Sequence, residues 1–502
     1  MALKRNFSVG LFGSIWSALL GLAVVPLYIK YLGTEAYGLI GFFATTQALL
    51  QLLDLGLSPT INREVARCSA TNKMQEARSL LHTLSIVYWG MAFVIGLVIL
   101  VLAPLIATHW LQARALPTAT ITQALMLMGL VVACRWPVGL YMGALMGMQR
   151  VALSSMINTA FGTLSSLGTV AILILVSPTI KAFFIWQACV GVCYALIMHF
   201  VAWRVVEGKH EKRNFSLDDL KRIWKFTAGM SSLAITGVLL VQIDKVVLSK
   251  LLSLESFGHY VLAGVVANSL YILLTPLFNA IYPRMTALVA SGEIDKLESL
   301  YKAGTRLFLS VFFPLVLTGA FYSQDLLYIW TRDVNLAENT AIVCSLLLLG
   351  TGLNGAMHFP FALQLAYGNT KIPLTITSVL IVTLVPLIFV LTLHYGARGG
   401  AFAWLLLNIS YLLFGTWLTH RKLLIGQGWS WLTNCVGLQL LTSLAVISLG
   451  WFLTHEATSY FYNLMWGTCF MLSSITINYM LMPSEIKSKF ELWYKYKTIT
   501  PS

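Results

Sequence analysis

The residues of this chain able to do chemistry are few, and they lie where charge is costly. Arg135 falls near the middle of a long apolar stretch, where a guanidinium cannot shed its proton. A midplane Arg costs at least ~2.5–3.5 kcal/mol to insert, so it faces a water-filled cavity or a partner. Both readings are open for Arg135: a cavity cation that attracts an anion, or one half of an ion pair between helices. Pro137 should kink the stretch just beyond it. Gly139, Gly143 and Gly147 follow at four-residue steps, a ridge of small residues that lets another helix come close. Lys245 is the second cation at depth, beside Asp244. Adjacent helix residues point about 100° apart, so these two are expected not simply to neutralise each other. Asp54 and Asp244 are the carboxylates that could exchange a proton with a transmembrane gradient; the alternative for each is a helix-end or interhelical ion pair. Gln47, Gln51 and Asp54 share one helical face and are expected to line a polar cavity. Asn158, Asn268 and Asn279 extend that expected polar lining to other spans. His199 and His358 stand isolated and read as hydrogen-bonded structural residues rather than a proton relay.

No catalytic or metal constellation accompanies these residues in the sequence. The seven Cys lie mostly inside apolar spans without Cys-x-x-Cys spacing, and read as packing.

The elements that must position these groups are membrane spans. The chain is 58% hydrophobic and only 10% charged, where a soluble domain carries about 25% charged residues. Its mean hydropathy is +0.78. About fourteen apolar stretches of roughly 20 residues follow one another, each long enough to cross a ~30 Å hydrocarbon layer as a helix. They run over 7–29, 37–58, 80–107, 119–148, 152–176, 182–203, 227–250, 257–283, 305–328, 339–366, 372–393, 399–419, 431–453 and 458–482. The first is too long for a signal-peptide core and lacks a small-x-small cleavage site, so it is read as retained.

The net charge of +14 raises the question of nucleic-acid binding, but the charges answer it by their sorting. With connecting segments assigned alternately to two sides, 25 Lys and Arg fall on the side of the N-terminus and 6 on the other, Arg135 and Lys245 being within spans. That bias places both termini in the cytoplasm and excludes a nucleic-acid partner. Within the segment after span six, Phe215-Ser-Leu-Asp-Asp219 is similar to a capping box with a hydrophobic staple, and a basic amphipathic helix expected to lie on the inner leaflet follows it.

The fold class is therefore all-α and polytopic, with a faint internal repeat. Leu32-Gly-Thr-Glu-Ala-Tyr-Gly38 opens span two, and Leu252-Ser-Leu-Glu-Ser-Phe-Gly258 opens span eight, 220 residues on. At an offset of 221, Arg63 matches Arg284, and Gly147-Met-Gln-Arg150 matches Gly368-Asn-Thr-Lys371. An even number of spans per half makes the repeat parallel: two six-helix lobes related by a pseudo-two-fold along the membrane normal. The expected organisation is an N-terminal lobe over 1–206, an amphipathic linker over 207–226, a C-terminal lobe over 227–420, a further helix pair over 421–482 and a basic tail over 483–502.

Three segments carry a family resemblance: Tyr31-Leu-Gly-Thr-Glu-Ala-Tyr-Gly38, Asp54-Leu-Gly-Leu57 and Gln242-Ile-Asp-Lys245. With the span count, the two lobes and the extra C-terminal pair, the chain resembles the polysaccharide-transporter (Wzx-type flippase) family of the multidrug/oligosaccharidyl-lipid/polysaccharide exporter superfamily. The resemblance implies a flippase, not an enzyme. Its cargo would be an undecaprenyl-pyrophosphate-linked oligosaccharide, moved by alternating access across the bacterial cytoplasmic membrane for O-antigen, capsule or exopolysaccharide synthesis. Membrane lipids and the polysaccharide polymerase machinery are the expected partners. Arg135 and Lys245 would be the cavity cations. No cofactor is expected, and a proton or sodium gradient is the candidate energy source, since the sequence holds no Gly-x-x-x-x-Gly-Lys-Ser/Thr loop for ATP. Two alternatives are weaker. A cation-coupled exporter of amphipathic drugs usually needs an acid in the N-terminal lobe, and span one has none. A membrane glycan polymerase or ligase needs a large extracytoplasmic loop, and those here are short.

Overall fold

Hydrocarbon offers no hydrogen-bond partners, so backbone that crosses it must close its own bonds, and this chain does so with helices. A computed structural model describes residues 2–54, 56–206, 235–454 and 459–484, with side chains from Phe12 onward. The linker expected over 207–226 and the tail beyond 484 lie outside the described residues. Among the described residues, eleven helices are long and apolar enough to cross a membrane. One of them, Lys371–Lys422, covers two expected spans. Helix at 235–251 and Tyr460–Met480 occupies the positions of two more.

Two compact units divide the chain, Met1–Val261 and Leu262–Ser502. In the first, α1 (Ala2–Leu32) is followed by α2 (Thr34–Leu50), with Gly33 at φ 83 making the turn. Then come α3 (Leu57–Ala70), α4 (Met74–Leu105), α5 (Thr118–Arg135), α6 (Val138–Gly147), α7 (Val151–Leu175) and α8 (Ile180–Val205). Helix α9 spans 235–251. Helix α10 (Leu254–Ser269) begins in this unit. On α4, Phe93, Val94, Leu97 and Val101 are exposed, an apolar face suited to lipid.

The expected span over 37–58 is shorter in the structure. It stops at Leu50, passes through a 3-10 turn (Gln51–Asp54), and gives way to α3, where the apolar pattern predicts a connecting loop. Helix α3 buries Ile61, Val65 and Cys68 at helical spacing while exposing Arg63 and Arg67, so it is amphipathic rather than membrane-crossing. It lies on the glycine ridge of α6. A Cβ on Gly143 would stand 2.6 Å from the Ser58 carbonyl oxygen, and one on Gly147 would stand 2.5 Å from that of Asn62. The ridge therefore admits α3 at backbone distance.

The second unit holds the rest of α10, then α11 (Tyr271–Ala290), α12 (Ile294–Phe321), α13 (Ser323–Thr331), α14 (Val334–Ala356), α15 (His358–Ala366) and α16 (Lys371–Lys422). Gly396, at φ 60, breaks α16 into the two expected spans. After the short α17 (Gly428–Trp431), α18 (Leu438–Thr454) and α19 (Tyr460–Met480) pack together and onto α12, where the Asn478 amide donates to the Ser310 carbonyl at 3.3 Å. Helix breaks recur along the chain. The gap between α5 and α6 at Trp136–Pro137 has its counterpart at Met357 between α14 and α15, at the offset of 221.

Candidate functional site

Arg135 is the last residue of α5. Pro137 cannot donate a backbone N–H, so the helix stops here in mid-span. The free carbonyl end of a helix is electronegative and favours a cation. The side chain crosses Gly191 of α8, where a built Cβ would touch its stem at 3.7 Å. Nη2 donates to Gln187 Oε1 at 2.7 Å and to Ser165 Oγ at 3.3 Å. Ser165 Oγ donates to the same Gln187 oxygen at 2.7 Å, and Gln187 Nε2 donates to Thr169 Oγ1 at 3.0 Å. Every one of these partners is neutral. Among the described residues the Arg135 guanidinium makes no ion pair.

The guanidinium borders a cavity of about 410 Å3 within the first unit. Gln47, Gln51 and Asp54 line it, with Ser58, Trp136 and Gly139. One wall is thus the end of α2 and the start of α3, the other the break between α5 and α6. Asp54 is fixed by local structure. Its carboxylate accepts from the Ser58 N–H at 3.2 Å, the Ser58 hydroxyl at 2.9 Å and the Tyr88 hydroxyl. The first of these satisfies an otherwise unpaired donor at the start of α3. One cavity therefore meets a cation and a carboxylate that are not bonded to each other. It has room for an anion beside Arg135.

The structure does not bring the other sequence candidates to this cavity. Lys245 Nζ lies 3.1 Å from Asp244 Oδ1 and donates to the Val241 carbonyl at 2.9 Å, so the pair does neutralise itself, against expectation. The 100° offset of neighbouring Cβ atoms does not bound a four-carbon Lys arm, which folds back along α9. Asp244 is only 3% exposed and also accepts from the Tyr260 hydroxyl at 2.7 Å. Asn158 accepts from the Tyr194 hydroxyl at 3.0 Å. Asn268 and Asn279 are exposed in the second unit. His199 bonds the Tyr141 hydroxyl at 2.7 Å, and His358 bonds the Asn354 carbonyl at 3.2 Å. Sequence reading missed Gln187 and Ser165, although a lone amide in the apolar span of α8 was itself a signal.

Comparison with known proteins adds a family and a fold. The sequence profile of a family described as polysaccharide biosynthesis protein matches residues 3–289. No curated protein sequence matches the chain. Among solved structures, the lipid II flippase MurJ in an inward closed conformation is similar at a TM-score of 0.68 and 15% identity, covering 93% of this chain and 98% of that one. An inward-facing multidrug resistance MATE family transporter of the MOP superfamily follows at 0.65 and 14% identity, covering 81% of this chain and 95% of that one. A mutant form of the Vibrio cholerae MATE transporter VcmN matches at 0.56 and 16% identity, over 84% and 96%. At these identities the likeness is one of fold.

Proposed function

We propose, since this chain belongs to the polysaccharide biosynthesis protein family, that it is a flippase for a lipid-linked oligosaccharide. In this reading it carries undecaprenyl-pyrophosphate-linked repeat units from the inner to the outer leaflet of a bacterial cytoplasmic membrane, with both termini in the cytoplasm. The observation that carries the proposal is the Arg135 cation on a membrane-embedded cavity, held among the described residues by neutral groups.

The physical task explains why such a group is needed. Sugars and a pyrophosphate moved through hydrocarbon unaided would leave many polar groups unpaired, each costing several kcal/mol. A hydrated cavity with a fixed cation lowers that barrier for the head, while the isoprenoid tail stays in the bilayer. The lobes would expose the cavity to each side in turn. A gradient would act through Asp54, the carboxylate on the same cavity. The chain itself performs no covalent step in this account, and polymerisation falls to partner enzymes.

Deletion of the gene, followed by chemical analysis of lipid-linked intermediates, tests the proposal. One defined repeat unit should accumulate on the cytoplasmic leaflet. An undisturbed surface glycan together with lost resistance to cationic drugs would replace this reading with a drug exporter.

A further inference from the structure

A guanidinium in hydrocarbon normally finds a carboxylate, because an uncompensated buried charge is costly. Arg135 instead finds the amide oxygen of Gln187, itself 6% exposed. That oxygen is held in turn: it accepts from Ser165, and the amide nitrogen is pinned on Thr169. Thr169 donates onward to the Ser165 carbonyl at 2.6 Å, so the amide cannot flip without breaking the network. Among the described residues only Nη2 of Arg135 is used. Its Nε and Nη1 make no hydrogen bond among the described residues.

We infer that Gln187 is a positioning residue whose neutrality matters as much as its hydrogen bond: it orients Arg135 without cancelling its charge, and so makes the cavity select a phosphate or pyrophosphate head over an uncharged one. The identity of the ligand rests on the functional reading above; the role of Gln187 does not. A carboxylate in the same place would hold the guanidinium equally well and quench it. An aliphatic side chain would leave the charge but free its direction.

The test uses the full chain purified in detergent, with farnesyl pyrophosphate as the anionic probe and farnesol as its uncharged counterpart. Gln187→Glu keeps an acceptor and adds a negative charge; Gln187→Met keeps bulk and removes the acceptor. Gln187→Glu should weaken farnesyl pyrophosphate binding roughly tenfold or more, and Gln187→Met about threefold, with farnesol unaffected. Wild-type binding of the pyrophosphate by Gln187→Glu overturns the inference. So does an equal loss in both variants, which is the mark of a packing role. Phenylglyoxal labelling of Arg135, read by peptide mass spectrometry without any lipid, keeps the two readings apart. If labelling slows in Gln187→Glu but the wild type does not bind the probe, the positioning role stands and the pyrophosphate-lipid function fails. Unchanged labelling overturns the positioning role itself.

Discussion

Gly38 and Gly258 face each other backbone to backbone. A Cβ on Gly38 would stand 2.1 Å from the Leu254 carbonyl oxygen, and one on Gly258 would stand 2.4 Å from that of Thr34. Each glycine thus packs on the carbonyl four residues earlier in the other copy of the Leu-x-x-Glu-x-aromatic-Gly repeat. The repeat meets itself about a local two-fold. No side chain fits there, because the obstacle is backbone and cannot rotate away. Gly38→Ala or Gly258→Ala should each cost about 2–3 kcal/mol through overpacking. The double variant should cost less than their sum, since both open the same crossing. Thermal melting in detergent measures this, and an unshifted midpoint for Gly38→Ala would show that the crossing is looser than described.

Arg135 tests the cavity directly. Arg135→Ala removes the cation, and transport of a pyrophosphate-linked probe in proteoliposomes should fall by about a hundredfold or more. Arg135→Lys keeps the charge but replaces a planar fork by a point charge, which cannot hold Gln187 and Ser165 together while facing a ligand. It should retain roughly a tenth of the transport. Equal transport by the wild type and Arg135→Ala would remove this residue from the mechanism.

The spans were legible because membrane thickness sets a minimum apolar length, and because Lys and Arg sort between the loops. Helix α3 was not. It is short, and Ile61, Val65 and Cys68 form its apolar stripe inside a segment rich in polar residues. A reading tuned to long apolar runs passes over such a stripe. The ridge of Gly139, Gly143 and Gly147 announced a close helix without saying which. Arg135, Asp54, Gln47 and Gln51 stood out as polar residues at depth, and the cavity gathers them. Lys245 stood out equally, but a flexible side chain beside an acid closes on it, and helical direction alone does not forbid that. Gln187 and Ser165 carry no charge, so their importance depends on what they touch, which only three dimensions supply.

Asp54 combines two roles that substitution can separate. As an acceptor for Ser58 and Tyr88 it holds the start of α3. Asn keeps one oxygen and turns the other into a donor, so Asp54→Asn should cost about 1–3 kcal/mol of stability. Asp54→Asn also removes the carboxylate from the cavity, and should make transport independent of an imposed proton gradient. Initial rates in proteoliposomes, with and without an inward pH step, read the second effect separately from melting. A variant that melts earlier yet keeps its full response to the gradient leaves Asp54 with the structural role alone.

Asp244 and Lys245 should behave in the opposite way. The acid is 4% and the base 19% exposed at the side chain, and each is the other's counter-charge. Asp244→Asn leaves Lys245 an uncompensated cation in low dielectric, at a cost of about 3–5 kcal/mol. Lys245→Met leaves the acid, among the described residues, with the Tyr260 hydroxyl alone, and should also destabilise. The double variant, Asp244→Asn with Lys245→Met, removes both charges at once and should melt close to the wild type, because a buried pair replaced by neutral residues of similar size is often neutral in stability. Transport by the double variant is the deciding measurement. Near-normal flux would confine the pair to holding α9 and α10 together. A stable protein without flux would return Lys245 or Asp244 to the transport machinery.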